Sequence, residues 1–159
     1  MKTVRIQLGE RSYEIYVGQA LPALGKTMKQ YHFNARTLVV TDRAVGKHYA
    51  RAVVESLTAS GCQVALEEVP AGESSKSLRE AERLFSVCAR QALERKSPIV
   101  ALGGGVIGDL VGFVAATYLE RCPNCIAWQA LGVACVPPVY LFFRQWRFYP
   151  PPQAFPEER

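Results

Sequence analysis

Residues 102–109, LGGGVIGD, combine four glycines with a single acid. Gly103, Gly105 and Gly108 fit the spacing G-x-G-x-x-G, which is typical of a strand-to-helix turn that binds a dinucleotide. Glycine lets the backbone come close to a phosphate, and the free N–H groups at a helix start attract anions. The stretch therefore predicts a pyrophosphate-binding turn, although tight packing of a helix against a strand would also require glycine.

Strands and helices alternate around this turn. Continuous apolar runs with β-branched residues are typical of buried parallel strands, and apolar residues spaced by three or four positions are typical of helices that pack on them. The strands are predicted at 36–41, 63–69 and 98–102, and the helices at 43–60, 77–93 and 106–119. They follow an antiparallel hairpin at 3–8 and 13–17 and a short helix at 21–31, limited by Gly25. The order predicts an α/β fold: a Rossmann-like, doubly wound, mainly parallel sheet with an N-terminal hairpin.

Composition excludes several classes of protein. The chain has 159 residues, 49% of them hydrophobic and 21% charged, so it is neither collagen-like nor disordered. A formal net charge of +5 without a block of like charges suits a small anion and predicts no nucleic-acid partner. The N-terminus has no apolar signal region, and five cysteines, an odd number, indicate free thiols. We therefore expect a cytoplasmic protein.

The last forty residues differ from the rest. Residues 121–159 hold seven of the ten prolines, three of the five cysteines and both tryptophans. This change predicts an α/β domain over 1–119 and a Pro- and aromatic-rich, irregular tail over 120–159. The uncharged run 126–143 contains Pro137-Pro138, so we expect no membrane insertion. Cys122-Pro-Asn-Cys125 lacks a second pair and predicts no metal or redox site.

Polar or glycine-rich loops follow all three predicted parallel strands. They begin at Asp42, at Pro70 and at Gly103. Because the carboxyl ends of parallel strands share one edge of the sheet, where ligands bind, we expect the three loops to meet there.

Each charged residue in these loops has a structural and a functional interpretation. Asp42 can cap a helix or accept ribose hydroxyls. Glu73 and Lys76 can belong to a solvated surface loop or contact a ligand. Asp109, expected in the first turn of its helix, can complement the helix dipole or bond to a cofactor or substrate hydroxyl. His32 and His48 have no metal-ligating partner at a useful spacing, and we interpret them as structural.

Two longer stretches carry a resemblance to a known family. VPAGESSKSL, which contains Glu73 and Lys76, and ALGGGVIGDLVGFVAATYL, some thirty residues later, closely resemble 3-dehydroquinate synthase. The resemblance covers residues 1 to about 119, which correspond to the family's N-terminal nucleotide-binding domain. The chain is more distantly similar to iron- or zinc-dependent polyol dehydrogenases, which share the GGG turn.

The resemblance implies an NAD-dependent, phosphate-eliminating lyase of the shikimate pathway. The family converts 3-deoxy-arabino-heptulosonate 7-phosphate, a sugar phosphate, to 3-dehydroquinate with NAD and a divalent metal, zinc or cobalt. The resemblance also implies a homodimer. Carried over by motif, Asp42 meets the adenosine ribose, the glycine turn holds the pyrophosphate and Asp109 lies on the nicotinamide side. The implied cofactor-binding residues are Asp42, Gly72, Glu73, Lys76, Gly104, Gly105, Val106, Ile107, Gly108 and Asp109.

The chain also departs from the family's pattern. Glu120 stands where the family has an arginine of the substrate site, and the Thr-Thr pair and the D-S-x-x-G-G-K loop are missing after it. The family's C-terminal helical domain, with its metal ligands and catalytic lysines, is missing too, so no catalytic or metal-binding residue is assigned. We expect this chain to be inactive alone. The alternatives are a non-enzymatic nucleotide-binding remnant, and a fragment of a polyol dehydrogenase-like enzyme or another sugar-phosphate cyclase.

Overall fold

The computed structural model describes residues 2–7, 13–17, 21–29, 33 and 35–118, together with two strands at 124–128 and 133–135. The strands are β1 Lys2–Ile6, β2 Tyr13–Val17, β3 Arg36–Asp42, β4 Gln63–Val69, β5 Ile99–Gly103, β6 Asn124–Trp128 and β7 Val133–Cys135. The helices are α1 Leu24–Lys29, α2 Arg43–Ala59, α3 Leu78–Arg90 and α4 Gly105–Thr117. Helix–strand alternation through the centre of the chain therefore agrees with the sequence pattern.

The strands form one sheet in the order β1-β2-β7-β6-β5-β3-β4. Strands β6, β5, β3 and β4 run parallel, whereas β7 and the hairpin β1–β2 pair antiparallel. The predicted α/β class, with a mainly parallel sheet and an N-terminal hairpin, is confirmed.

Helices cover both faces of the parallel sheet. Side chains of successive strand residues point to opposite faces, so Leu38 and Val40 pack with α3 and α4 while Val39 packs with α1 and α2. Leu38, Val39 and Val40 are fully buried. Two apolar cores on opposite faces are the packing expected of a doubly wound fold.

The predicted helix at 21–31 is replaced by a 3-10 turn at 21–23 followed by the short helix α1. Gly25 lies against α2: a Cβ atom at this position would be 2.1 Å from the carbonyl oxygen of Ser56. The N–H of Gly25 also donates a 3.1 Å hydrogen bond to Ser56 Oγ. The glycine, which the sequence indicates as a limit to the helix, thus permits contact between two helices.

Arg83 joins α3 to the end of β4. Its guanidinium contacts the carboxylates of Glu80 and Glu67 at 2.9 and 3.0 Å and donates to the carbonyl oxygen of Glu68 at 3.0 Å. Burial opposes the charge, but the hydrogen bonds to Glu80 and Glu67 raise the pKa of Arg83 above its ordinary value. These contacts fix the two elements on either side of the loop at residues 70–76.

Two strands lie in the segment for which the sequence predicts irregular structure. β6 pairs parallel with β5, and β7 pairs antiparallel with β6 and β2. The expectation of a wholly irregular tail is therefore wrong, because β5 offers a row of backbone N–H and C=O groups that composition alone does not reveal. The rest of the tail, including Cys122 and Pro137-Pro138, lies outside the described residues, and the domain boundary at 119 stays a prediction.

Candidate functional site

The three predicted loops meet at the carboxyl edge of the parallel sheet. Asp42 ends β3 beside Val69, the last residue of β4. Thr41 lies beside Leu102 of β5, and its buried hydroxyl donates a 2.8 Å hydrogen bond to the carbonyl oxygen of Leu102. This bond joins two strand ends immediately before Gly103, where the glycine turn begins.

The glycines of the turn differ in what surrounds them. Gly103 is buried, and a Cβ atom there would lie 2.7 Å from Cγ1 of Ile107, so this glycine is required for packing of helix on strand. Gly104 and Gly105 are exposed, and no described atom lies within 4 Å of a Cβ placed on either. The structural interpretation therefore holds at Gly103, while the next two glycines leave room for a ligand against the backbone.

Helix α4 begins beside this space. Gly104 is its N-cap residue and offers no side chain, and the first intrahelical bond joins the N–H of Gly108 to the oxygen of Gly104 at 3.0 Å. The N–H groups of Gly105, Val106 and Ile107 therefore have no partner within the helix. Ile107 and Gly108 are both buried, and the N–H of Gly108 is bonded to Gly104, so contact of these two residues with a cofactor stays a prediction. The positive end of the helix dipole adds to the attraction for an anion.

The loop at residues 70–76 is an ordered turn. Gly72 has φ = 102°, a conformation that favours glycine, and starts a 3-10 turn over Glu73–Ser75. Ser75 is 1% exposed, and its hydroxyl donates to the carbonyl oxygen of Pro70. The N–H of Lys76 donates to the oxygen of Glu73 at 3.0 Å. Ser75 was not singled out from the sequence, where only a run of small residues indicated a turn.

Lys76 and Asp109 form an ion pair between this loop and α4. Lys76 Nζ lies 2.5 Å from Asp109 Oδ2, with the side chains 42% and 37% exposed. The prediction that Asp109 lies in the first turn of its helix is wrong: α4 starts at Gly105, so Asp109 is the fifth helix residue. Since dipole effects fall off beyond the first turn, Lys76 replaces the helix dipole as the main partner of this carboxylate.

A small groove runs between the starts of α3 and α4. Its volume is about 130 Å³, and it is lined by Lys76, Ser77, Leu78, Asp109, Leu110 and Phe113. Leu78 is 77% exposed there. The groove combines an ion pair with apolar side chains, a mixture that suits a ligand with a charged and a ring-like part.

Asp42 caps helix α2. Its Oδ1 accepts hydrogen bonds from the N–H groups of Ala44 and Val45 at 2.8 and 3.0 Å. The structural interpretation of Asp42 is confirmed. Within the described part of the chain no group donates to Oδ2, so the same carboxylate can accept from a ligand, and its contact with ribose stays a prediction.

A larger cavity, about 500 Å³, lies at the opposite edge of the sheet. The starts of β3 and β4 and the end of α3 line it, with Arg36 and Arg90 among its residues. The guanidinium of Arg36 donates to the carbonyl oxygen of Ala92 at 2.9 Å and lies 4.0 Å from Glu94. Because the negative end of the α3 dipole points there, this cavity suits a dinucleotide less well than the glycine turn.

The described residues hold neither a metal-binding cluster nor a membrane-spanning helix. In the described ranges no three His, Cys, Asp or Glu side chains come together as a metal site. Neither Cys62 nor Cys88 forms a disulfide bond with another described residue. None of the described helices has the length and apolar character needed to cross a bilayer.

Most of the chain is similar in sequence to known proteins. The family model described as 3-dehydroquinate synthase N-terminal matches residues 66–131, which takes in β6. The 3-dehydroquinate synthase of Desulforamulus reducens is 47% identical over 124 residues, 77% of this chain and 34% of that protein. That of Symbiobacterium thermophilum is 48% identical over 120 residues, 74% of this chain and 34% of the relative. The chain thus spans about a third of the length of the curated relatives it matches.

Solved structures share the fold. A 2-deoxy-scyllo-inosose synthase superposes with a TM-score of 0.70 at 19% identity, over 79% of this chain and 35% of that one. A 2-epi-5-epi-valiolone synthase from Streptomyces hygroscopicus subsp. jinggangensis, solved with NAD+ and Zn2+ bound, gives 0.63 at 27% identity over 76% of this chain and 33% of the other. Residues 66–131 thus match the N-terminal domain of the 3-dehydroquinate synthase family, and about three quarters of the chain is similar to curated 3-dehydroquinate synthases.

Proposed function

We propose that this chain binds NAD at the carboxyl edge of its parallel sheet, as the cofactor-binding part of a 3-dehydroquinate synthase. The observation that carries the proposal is the open space at Gly104 and Gly105, where a Cβ atom would have no neighbouring atom within 4 Å among the described residues. A pyrophosphate fits there against the unpaired N–H groups that begin α4. The ammonium group of Lys76 supplies a positive charge at the same edge.

The other implied residues have distinct tasks in this proposal. Asp42 accepts ribose hydroxyls through Oδ2 while Oδ1 caps α2. Gly72 and the exposed Glu73 contact the cofactor from the ordered turn, which Ser75 holds in shape. NAD, when bound, supplies a reversible hydride acceptor for transient oxidation of a substrate hydroxyl.

The complete reaction extends the proposal beyond this chain. We infer a sugar-phosphate substrate, 3-deoxy-arabino-heptulosonate 7-phosphate, converted to 3-dehydroquinate in the cytoplasm with loss of phosphate. A 2-deoxy-scyllo-inosose synthase has been solved with carbaglucose-6-phosphate, NAD+ and Co2+, and the 2-epi-5-epi-valiolone synthase with NAD+ and Zn2+. These structures support a phosphorylated substrate and a divalent metal, cobalt or zinc. A homodimer belongs to the same proposal.

Calorimetric titration of the chain with NAD tests the cofactor site. Replacement Lys76→Met should weaken NAD binding by about tenfold, since it removes the cation that pairs with Asp109 at this edge of the sheet. Lys96→Met is the matched control, because Lys96 is exposed and precedes β5 at the opposite edge of the sheet. A wild-type chain that melts cooperatively and yet binds no NAD would overturn the proposal and leave a remnant without nucleotide binding.

A further inference from the structure

The larger cavity, at the amino edge of the parallel sheet, is lined by two arginines and by no acidic residue of the described chain. Arg36 begins β3, and Arg90 is the last residue of α3. Gln63, the first residue of β4, also lines the cavity and lies directly beside Arg36 in the parallel register. Its volume of about 500 Å³ is in the ordinary range for a small-molecule site. We call this space the amino-edge cavity.

Arg36 is held in place at the wall of the cavity. Its guanidinium donates a 2.9 Å hydrogen bond to the carbonyl oxygen of Ala92, which belongs to the turn that follows α3. Ala92 has φ = 48° and is the one described residue other than glycine with a positive φ. Glu94 lies 4.0 Å from the guanidinium, but its side chain is 67% exposed, so water screens the pair. A guanidinium has several N–H donors, and those not bonded to Ala92 can serve a ligand.

The balance of charge favours an anion in this cavity. The carboxyl end of α3 is equivalent to about half a negative charge. Arg36 and Arg90 each contribute a full positive charge, because a guanidinium keeps its proton at all ordinary pH values. The two arginines therefore outweigh the helix dipole, and the cavity attracts a negatively charged group.

The end of α3 also supplies hydrogen-bond acceptors. The N–H groups of the three residues after the helix donate to carbonyl oxygens further back, those of Val87, Ala89 and Cys88. None of these bonds uses the carbonyl oxygens of Arg90 and Gln91. Carbonyl groups at a helix end need a donor from outside the helix, and a hydroxyl group of a ligand can be that donor. The cavity thus combines cations for an anionic group with acceptors for hydroxyl groups.

We propose that the amino-edge cavity binds a small phosphate monoester that carries free hydroxyl groups. Arg36 and Arg90 hold the phosphate, since a planar guanidinium donates paired hydrogen bonds to phosphate oxygens. The carbonyl groups at the end of α3 and the side-chain amide of Gln63, which can both donate and accept, bind the hydroxyl groups. This second site lies at the other edge of the sheet from the glycine turn, and it does not depend on the proposed NAD site.

The test is calorimetric titration of the chain with D-ribose 5-phosphate, with ribose and with succinate. Ribose lacks the phosphate and succinate lacks hydroxyl groups, so each should bind about tenfold more weakly than ribose 5-phosphate, or not at all. Arg36→Gln and Arg90→Gln should each weaken ribose 5-phosphate by about tenfold, because each removes a charged donor. Arg51→Gln is the matched control: Arg51 lies on α2, its side chain is 91% exposed, and the variant should bind as the wild type does.

The same titrations in saturating NAD locate the phosphate. Ribose 5-phosphate should bind equally well with and without NAD. Competition between the two ligands would place the phosphate at the glycine turn and overturn the inference. A chain that binds ribose 5-phosphate through Arg36 and Arg90 but binds no NAD would overturn the proposed function and leave this site standing.

Other results would also contradict the amino-edge site. These are a folded wild-type chain that does not bind ribose 5-phosphate, an affinity that neither arginine variant changes, and succinate binding as tight as that of ribose 5-phosphate. Thermal melts separate these results from loss of folding. Arg36→Gln loses the bond to Ala92, so Arg90→Gln, at an exposed position, keeps the test decisive if the first variant fails to fold.

Discussion

The hydroxyl of Thr41 donates a 2.8 Å hydrogen bond to the carbonyl oxygen of Leu102, joining β3 to β5 where the glycine turn begins. Thr41 is fully buried, so the bond is shielded from water. Thr41→Val should lower the free energy of unfolding by about 1–2 kcal/mol, since the carbonyl loses a partner. Chemical denaturation followed by circular dichroism measures this change.

Thr37 provides a matched control on the same strand. It is 1% exposed, and among the described residues its hydroxyl has no hydrogen-bond partner. Thr37→Val should leave stability unchanged or raise it by about 1 kcal/mol, because it removes an unsatisfied buried hydroxyl. Equal losses of unfolding free energy in Thr41→Val and Thr37→Val would show that the hydrogen bond to Leu102 does not stabilise the chain.

Gly103 and Gly105 should respond differently to alanine. In Gly103→Ala the new methyl group would lie 2.7 Å from Ile107 Cγ1, and this overpacking should cost about 1–3 kcal/mol in thermal or chemical unfolding. In Gly105→Ala the methyl group meets no atom of the described residues, so stability should be preserved. The same methyl group should weaken NAD binding by about tenfold because it occupies the space proposed for the pyrophosphate. Unchanged NAD affinity in Gly105→Ala would count against binding at this turn.

Two substitutions separate the roles of Asp42. Asparagine is as good an N-cap as aspartate, so Asp42→Asn should preserve the stability of the chain. Asp42→Ala should lower the unfolding free energy by about 1 kcal/mol, since the N–H groups of Ala44 and Val45 lose their acceptor. If the carboxylate also binds ribose, Asp42→Asn should weaken NAD binding although the fold is intact. Equal NAD affinities for Asp42→Asn and wild type would restrict Asp42 to capping.

The contact between α1 and α2 predicts a large effect at Gly25. In Gly25→Ala the Cβ atom would be 2.1 Å from the backbone oxygen of Ser56, so the helices must separate, at a cost of about 3 kcal/mol or more. Ser56→Ala removes the hydroxyl that bonds to the N–H of Gly25 and to the oxygen of Pro22, at 3.1 and 2.9 Å, and should cost about 1 kcal/mol. Melting temperatures of the two variants measure which substitution destabilises the chain more. A smaller loss of stability in Gly25→Ala than in Ser56→Ala would contradict the tight contact between the helices.

Local pattern was enough to predict the strands, the helices between them and the meeting of their loops at one edge. The spacing of apolar residues predicts which face of a helix or strand is buried, and parallel strands place their carboxyl ends at the same edge of the sheet. Asp42 was predicted with two roles, and the cap among them is confirmed by its bonds to Ala44 and Val45.

Features that depend on distant packing could not be predicted in the same way. The pairing of Lys76 with Asp109 requires the relative placement of α3 and α4, and a helix start one residue earlier than predicted was enough to move Asp109 out of the first turn. Gly25 showed in the sequence only as a weak helix former, since its neighbour Ser56 is far along the chain. Strand β6 depends on the open edge of β5, which only the assembled sheet presents.

The strand order has a consequence for where the site lies. From β3 the chain passes through α2 to β4 on one side, then returns through α3 to β5 on the other side of β3. Helix α2, which follows β3, and helix α4, which follows β5, cover opposite faces, so the chain leaves these two neighbouring strands in opposite directions. This topological switch point exists whatever side chains line it. In the proposed function, the winding of the chain therefore determines where NAD binds, and residues such as Gly105 and Lys76 determine only which ligand binds there.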